Sequence, residues 1–171
     1  MKKIKKVLLV LLICLTLGTL TACGQKNVEG ELTDIIEKVY EKMYDEVDES
    51  DRPMLTTVNV LETYEGATDE DLKLQIESAI GTTDIAYKEI YESKPMIGAI
   101  AYSVVLVRME DGADIEAAKT AIKENVNPRK WVCVEVPEED VIVKSKGDLI
   151  ILIMVENETL RTKIEEGFDN L

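Results

Sequence analysis

The residues with the clearest chemistry in this chain are a cysteine near its start and a pair of cations beside its only tryptophan. Cys23 closes the tetrapeptide Leu20-Thr21-Ala22-Cys23, which ends an apolar run that follows Lys2, Lys3, Lys5 and Lys6. A basic start, an apolar stretch and small residues before a cleavage point are the marks of an export signal, and the tetrapeptide resembles the lipobox of bacterial lipoproteins. The chemistry expected of Cys23 is acylation: its thiol takes a diacylglycerol, and Cys23 becomes the first residue of the mature chain. The stretch from Val7 to Leu20 is too short for a spanning helix, which needs roughly 20 apolar residues, and Thr16, Gly18 and Thr19 interrupt it. The alternative is an ordinary secretory signal in which Cys23 is incidental.

The second candidate is Asn127-Pro128-Arg129-Lys130-Trp131. Arg129 and Lys130 suit a ligand carboxylate or phosphate, with Trp131 as a stacking surface. A simpler account assigns Asn127 and Pro128 to helix termination, the cations to the helix C-terminal dipole and Trp131 to the core. Cys133 alternates with Trp131 and Glu135 and reads as a buried structural thiol, because no histidine exists anywhere in the chain to activate it. The acidic groups Asp69-Glu70-Asp71 and Glu138-Glu139-Asp140 lack the spaced ligand loop with its central glycine that calcium sites use. Turns and helix caps account for them, and no metal or cofactor is expected.

Composition limits the function classes further. Removing residues 1–22, which carry four lysines and no acid, leaves 149 residues with 16 basic and 34 acidic side chains, a net charge of −18. Such a surface repels nucleic-acid phosphates and anionic lipid, so a membrane association must rest on the acyl chains. Cys14 leaves with the signal and Cys23 is acylated, so Cys133 has no partner for an internal disulfide. The absence of histidine removes the usual serine and cysteine triads and the commonest zinc ligand.

These residues must be positioned by one domain of about the commonest size. Residues 23–30 read as the lipidated cysteine and a polar, glycine-bounded tether; its residues Gly24–Gly30 reach roughly 25 Å when extended. Residues 31–171 read as a single α+β domain. Apolar residues from Leu32 to Val47 recur at helical spacing, and Ser50–Pro53 breaks the pattern. Met54–Leu61 reads as extended, and Thr68–Ile80 as a capped helix stopped by Gly81. Ile85–Tyr91 is a weak strand and Ile97–Val107 a strong, central one. A helix capped by Asp114 must end by Asn127-Pro128. Strands are then predicted over Trp131–Val136, Val141–Lys144 and Leu149–Val155, with a hairpin turn at Lys146-Gly147-Asp148, and Asn157 caps a last helix. The expected architecture is helices packed on one antiparallel or mixed β-sheet.

Several segments together are specific enough to carry a resemblance. They are Thr82-Thr83-Asp84-Ile85-Ala86-Tyr87-Lys88-Glu89, Ser93-Lys94-Pro95-Met96-Ile97, Ser103-Val104-Val105-Leu106-Val107-Arg108, Asp111-Gly112-Ala113-Asp114-Ile115, Asn127-Pro128-Arg129-Lys130-Trp131 and Lys146-Gly147-Asp148-Leu149-Ile150. The chain resembles, over the whole mature domain, a family of small bacterial lipoproteins catalogued as domain of unknown function 4358 and typical of Gram-positive anaerobes. The resemblance implies an exported, lipid-anchored domain on the outer face of the cytoplasmic membrane and carries no catalytic residues. The reading favoured by the sequence is a non-catalytic module that binds an envelope protein, a peptide or a small ligand. The alternatives are a carboxylate-dependent hydrolase acting on cell-wall polymer, and an accessory ligand receptor of a transporter, for which one domain lacks the usual two lobes.

Overall fold

The computed structural model describes residues 26–171, so Cys23, Cys14 and the expected signal of residues 1–22 lie outside the described residues. The element order is α1 (Leu32–Glu46), β1 (Leu55–Asn59), α2 (Asp69–Ile80), β2 (Tyr87–Pro95), β3 (Tyr102–Met109), α3 (Ile115–Asn125), β4 (Ile142–Lys146), β5 (Leu149–Val155) and α4 (Glu158–Asp169). The five strands form one sheet in the order β1-β2-β3-β5-β4, with every neighbouring pair antiparallel. This is the expected α+β domain, with helices on both faces of the sheet.

The two faces follow from strand alternation. Tyr102, Val104, Leu106, Leu149, Ile151, Ile153 and Val155 point to one side and pack against α1 and α4. Val105, Val107, Met109, Ile150, Leu152 and Met154 point to the other and meet Ile76 and Ile80 of α2 and Ala118 and Ile122 of α3. Because both faces are covered, β5 is buried at all seven positions, which is why it reads in sequence as an unbroken apolar run.

The helix ends are set locally. Thr68 and Asp71 form a capping box at α2, and Gly81 closes that helix at φ 82°, a left-handed position that favours glycine. Asp114 accepts from the Ala117 amide and Asn157 from the Leu160 amide, as their side-chain chemistry predicts. Glycine has a different role at Gly167 in α4, where a β-carbon would strike the backbone of Val39 in α1. The missing side chain lets the two helices approach closely over the first sheet face.

Three expectations fail. Trp131–Val136 is irregular rather than a strand. Both sheet edges are already taken by β1 and β4, and the segment instead crosses the end of the sheet, held by hydrogen bonds from the Val132 amide to the Gly98 carbonyl and from the Val136 amide to the Pro128 carbonyl. Cys133 is consequently exposed, at φ 63°, and is not a buried thiol. The strong run Ile97–Val107 is also only partly strand. Its first residues, with Met96, turn the β2–β3 hairpin, and the Tyr102 amide bonds back to the Ile100 carbonyl before β3 begins.

The close α1–α4 crossing generates a test. Gly167→Ala is expected to destabilise the protein by about 3 kcal/mol through overpacking against rigid backbone, read as a lower denaturant midpoint with an unchanged m-value. A midpoint equal to that of the native protein would show that the helices are not held at this distance.

Candidate functional site

The stretch singled out by sequence does not assemble as one ligand site. Arg129 lies in solvent and pairs with Glu135 at 2.7 Å. Trp131 is half-buried and packs on the second core face, consistent with the simpler structural account. Lys130, unlike Arg129, turns inward on the same face as Trp131, with its ammonium 5.6 Å from the Trp131 ring centre.

Its destination is a buried polar cluster that sequence reasoning missed. The Lys130 Nζ donates to Glu92 Oε1 at 2.9 Å, to the Ser103 hydroxyl at 3.1 Å and to the Ser78 carbonyl at 3.1 Å. Ser103 Oγ donates to the same Glu92 oxygen at 2.7 Å, while Lys94 donates to the other oxygen, also at 2.7 Å. Glu92 and Ser103 come from neighbouring strands β2 and β3 on the α2–α3 face, and the Glu92 side chain is only 6% exposed. The available signal is alternation in β2, since Ile90 and Glu92 share a face and a charge is costly there without a partner.

The charge balance decides what the cluster does. Burial resists ionisation of Glu92, but the charge of Lys130 and the hydrogen bonds from Lys94, Lys130 and Ser103 outweigh it and hold the carboxyl below its usual range. Burial lowers the Lys130 value, against the attraction of Glu92. A serine beside a lysine suggests base-assisted nucleophilic chemistry, yet Ser103 has no exposed surface, and its hydroxyl hydrogen bond is given to the Glu92 carboxylate rather than to the Lys130 ammonium. The cluster is a clamp that fixes residues 126–137 on the sheet.

On the opposite face, the hydroxyls of Tyr40, Ser93 and Tyr102 are buried with no partner in good hydrogen-bonding geometry. Burial raises the Tyr40 value, and Ser93 and Tyr102 lie near enough to moderate it. These groups are enclosed by α1 and present nothing to a ligand.

The sheet end that the clamped segment crosses is exposed and apolar. At the end of the sheet where β2 turns into β3, Met96 is 76% exposed, Ile97 61%, and Ile100 37%, while Val132 of the crossing segment is 72% exposed. Met54, just before β1, is 82% exposed at the same end. A depression of about 510 Å³ adjoins this tip, with Pro53, Ile100 and Leu160 in its lining and Asp51, Arg52 and Glu156 among its charged members.

The other end of the sheet holds the N-terminal segment. Arg108, at the far end of β3, donates to Asp148 at 2.8 Å, to Glu89 at 3.1 Å and to the carbonyls of Val28 and Gly30 at 2.9 and 2.7 Å. The Val28 amide donates to Asp148, and the Val28 side chain packs on the first core face. The described part of the expected tether is thus fastened to the domain rather than free. A second depression of about 950 Å³ lies here, lined by Lys26, Lys38, Lys42, Glu41 and Asp45 among others.

No family model, curated protein or solved structure matches the chain. Among the described residues there is no group of three or more histidine, cysteine, aspartate or glutamate side chains arranged to hold a metal, and no helix is long and apolar enough to cross a membrane.

The clamp is testable by its pH dependence. Glu92→Gln leaves the Lys130 charge buried without its partner and is expected to cost about 3 kcal/mol at pH 7. A depressed carboxyl contributes stability that is present above the unfolded value of about 4.3 and lost as pH falls through the lower folded value. The gap between native and variant proteins in urea melts should therefore narrow as pH drops below about 4. A constant gap down that range would mean that Glu92 is not the ionised partner.

Proposed function

We propose that this chain is a lipid-anchored, extracytoplasmic interaction module that works without catalysis and belongs to the lipoprotein family it resembles. The observation that carries this reading is the opposition of its two ends. The N-terminal segment is fastened at the β4–β5 turn by Arg108 and Asp148, whereas the exposed apolar tip formed by Met96, Ile97, Ile100 and Val132 sits where β3 starts. Seven peptide steps along β3 separate these ends by about 23 Å. Three chain steps from Cys23 to Lys26 allow at most about 10 Å of free reach, so an acylated Cys23 keeps the end that holds Arg108 and Asp148 near the bilayer and directs the tip away from it. Contiguous exposed apolar side chains mark interaction surfaces, and the Val132 part of this patch lies two residues from Lys130 of the buried Lys130–Glu92 pair and bonds to the Gly98 carbonyl.

The exposed Cys133 supplies a direct test of this placement. A membrane-impermeant maleimide added to intact cells should label Cys133, and Cys23→Ala should abolish fatty-acid incorporation and move the protein out of the membrane fraction. Labelling that requires broken cells would overturn the extracytoplasmic reading. Fatty-acid incorporation that persists in Cys23→Ala would overturn the anchor.

A further inference from the structure

The tip itself is free of charge from Met96 to Ala101, but the segments that surround it at the same end of the sheet are not. Asp48, Glu49 and Asp51 precede β1, Glu139 precedes β4, and Glu156 follows β5; all are exposed, and none has an ion-pair partner among the described residues. The cations of this end are engaged with other groups: Arg129 with Glu135, Lys94 and Lys130 with Glu92, Arg161 with Asp140 and the Val155 and Glu156 carbonyls, and Arg52 with the Tyr44 carbonyl and ring. An apolar centre is therefore bordered by five carboxylates that form no ion pair among the described residues. The adjoining depression repeats the pattern on a smaller scale, since Pro53, Ile100 and Leu160 line it together with two carboxylates, Asp51 and Glu156, and one cation, Arg52, which is turned to the Tyr44 carbonyl and ring.

We propose that this end of the domain docks a basic amphipathic polypeptide segment, one whose apolar side chains cover Ile97, Ile100 and Val132 while its lysines or arginines meet these carboxylates. The depression suits one such side chain, because a long aliphatic stem covers apolar surface while its charged head reaches Asp51 and Glu156. The other occupants fit less well. A second copy of this chain brings its own excess of carboxylates, and like charges across an interface cost several kcal/mol. An anionic lipid surface is repelled for the same reason and lies, in the proposed arrangement, at the other end. This inference rests on the reading of the tip as an interaction surface and adds the chemistry of the partner.

The experiment uses the full-length protein as its cell processes it, held in phosphatidylcholine vesicles, and two short synthetic amphipathic peptides with the same leucine pattern. One carries lysine at every polar position and the other glutamate. Binding is followed by calorimetry and by the emission of Trp131, the only tryptophan, beside Val132. The lysine peptide should bind, weaken as salt rises, and lose at least about tenfold in affinity in Ile97→Asp and in the double variant Asp51→Asn with Glu156→Gln. Leu74→Asp, at an exposed apolar position on α2, should bind as the native protein does, and far-ultraviolet circular dichroism checks that each variant is folded. Equal binding of the glutamate peptide, with sensitivity to Ile97→Asp retained, would overturn the basic partner and leave the tip reading standing. Binding of the lysine peptide that ignores both sets of substitutions, or no binding of either peptide, would overturn the docking site as well.

Discussion

Everything in this domain depends on the double burial of β3 and β5. Two adjacent strands at the centre of the sheet present side chains to both faces, and each face is sealed by its own pair of helices. A residue buried this completely contributes about 1.5–3 kcal/mol, and Cys133, the one cysteine among the described residues, is free, so burial is what stabilises the fold. The requirement leaves little tolerance for polar groups at the sheet. It also dictates the geometry of the helices, since α1 and α4 must cover one face together and meet where Gly167 has no side chain.

Polar side chains do enter the sheet: Ser93 and Tyr102 on one face keep buried hydroxyls without a partner in good hydrogen-bonding geometry, whereas those on the other face are joined. Glu92, Ser103 and Lys130 satisfy one another on the α2–α3 face. A buried ion pair adds little net stability compared with apolar packing, but removing one partner is expensive. Its effect here is positional. Lys130 draws an irregular segment across the sheet end, and with it the side chains of Trp131 and Val132 take up defined places.

The periodic elements are legible in the sequence because their signals are local. The apolar run of β5, the helical spacing of α1, and the caps at Thr68, Asp114 and Asn157 each specify structure within a few residues. Trp131–Val136 misleads for the converse reason. Its β-branched composition favours a strand, but a strand needs a free edge, and the availability of an edge is a property of the whole sheet. Once that segment is irregular, the exposure of Cys133 follows. The clamp is illegible because Glu92 and Lys130 lie 38 positions apart, and nothing in the spacing of the two residues relates them. The tip is hidden within a reading that is right only from Tyr102 onward: Ile97 and Ile100 read as the beginning of a central strand, and the turn they form depends on where β2 ends.

The fastening of the N-terminal segment has a mechanical consequence. Arg108 belongs to β3 and Asp148 to the turn before β5, so tension between this segment and the tip enters the sheet at one end of its two central strands and leaves at the other. It acts parallel to the strand axis. The backbone bonds between β3 and β5, in register from Tyr102 opposite Val155 to Arg108 opposite Leu149, then share the load in shear rather than opening one after another from an edge. A protein pulled between its two ends in this direction resists extension best along the line on which those ends are set.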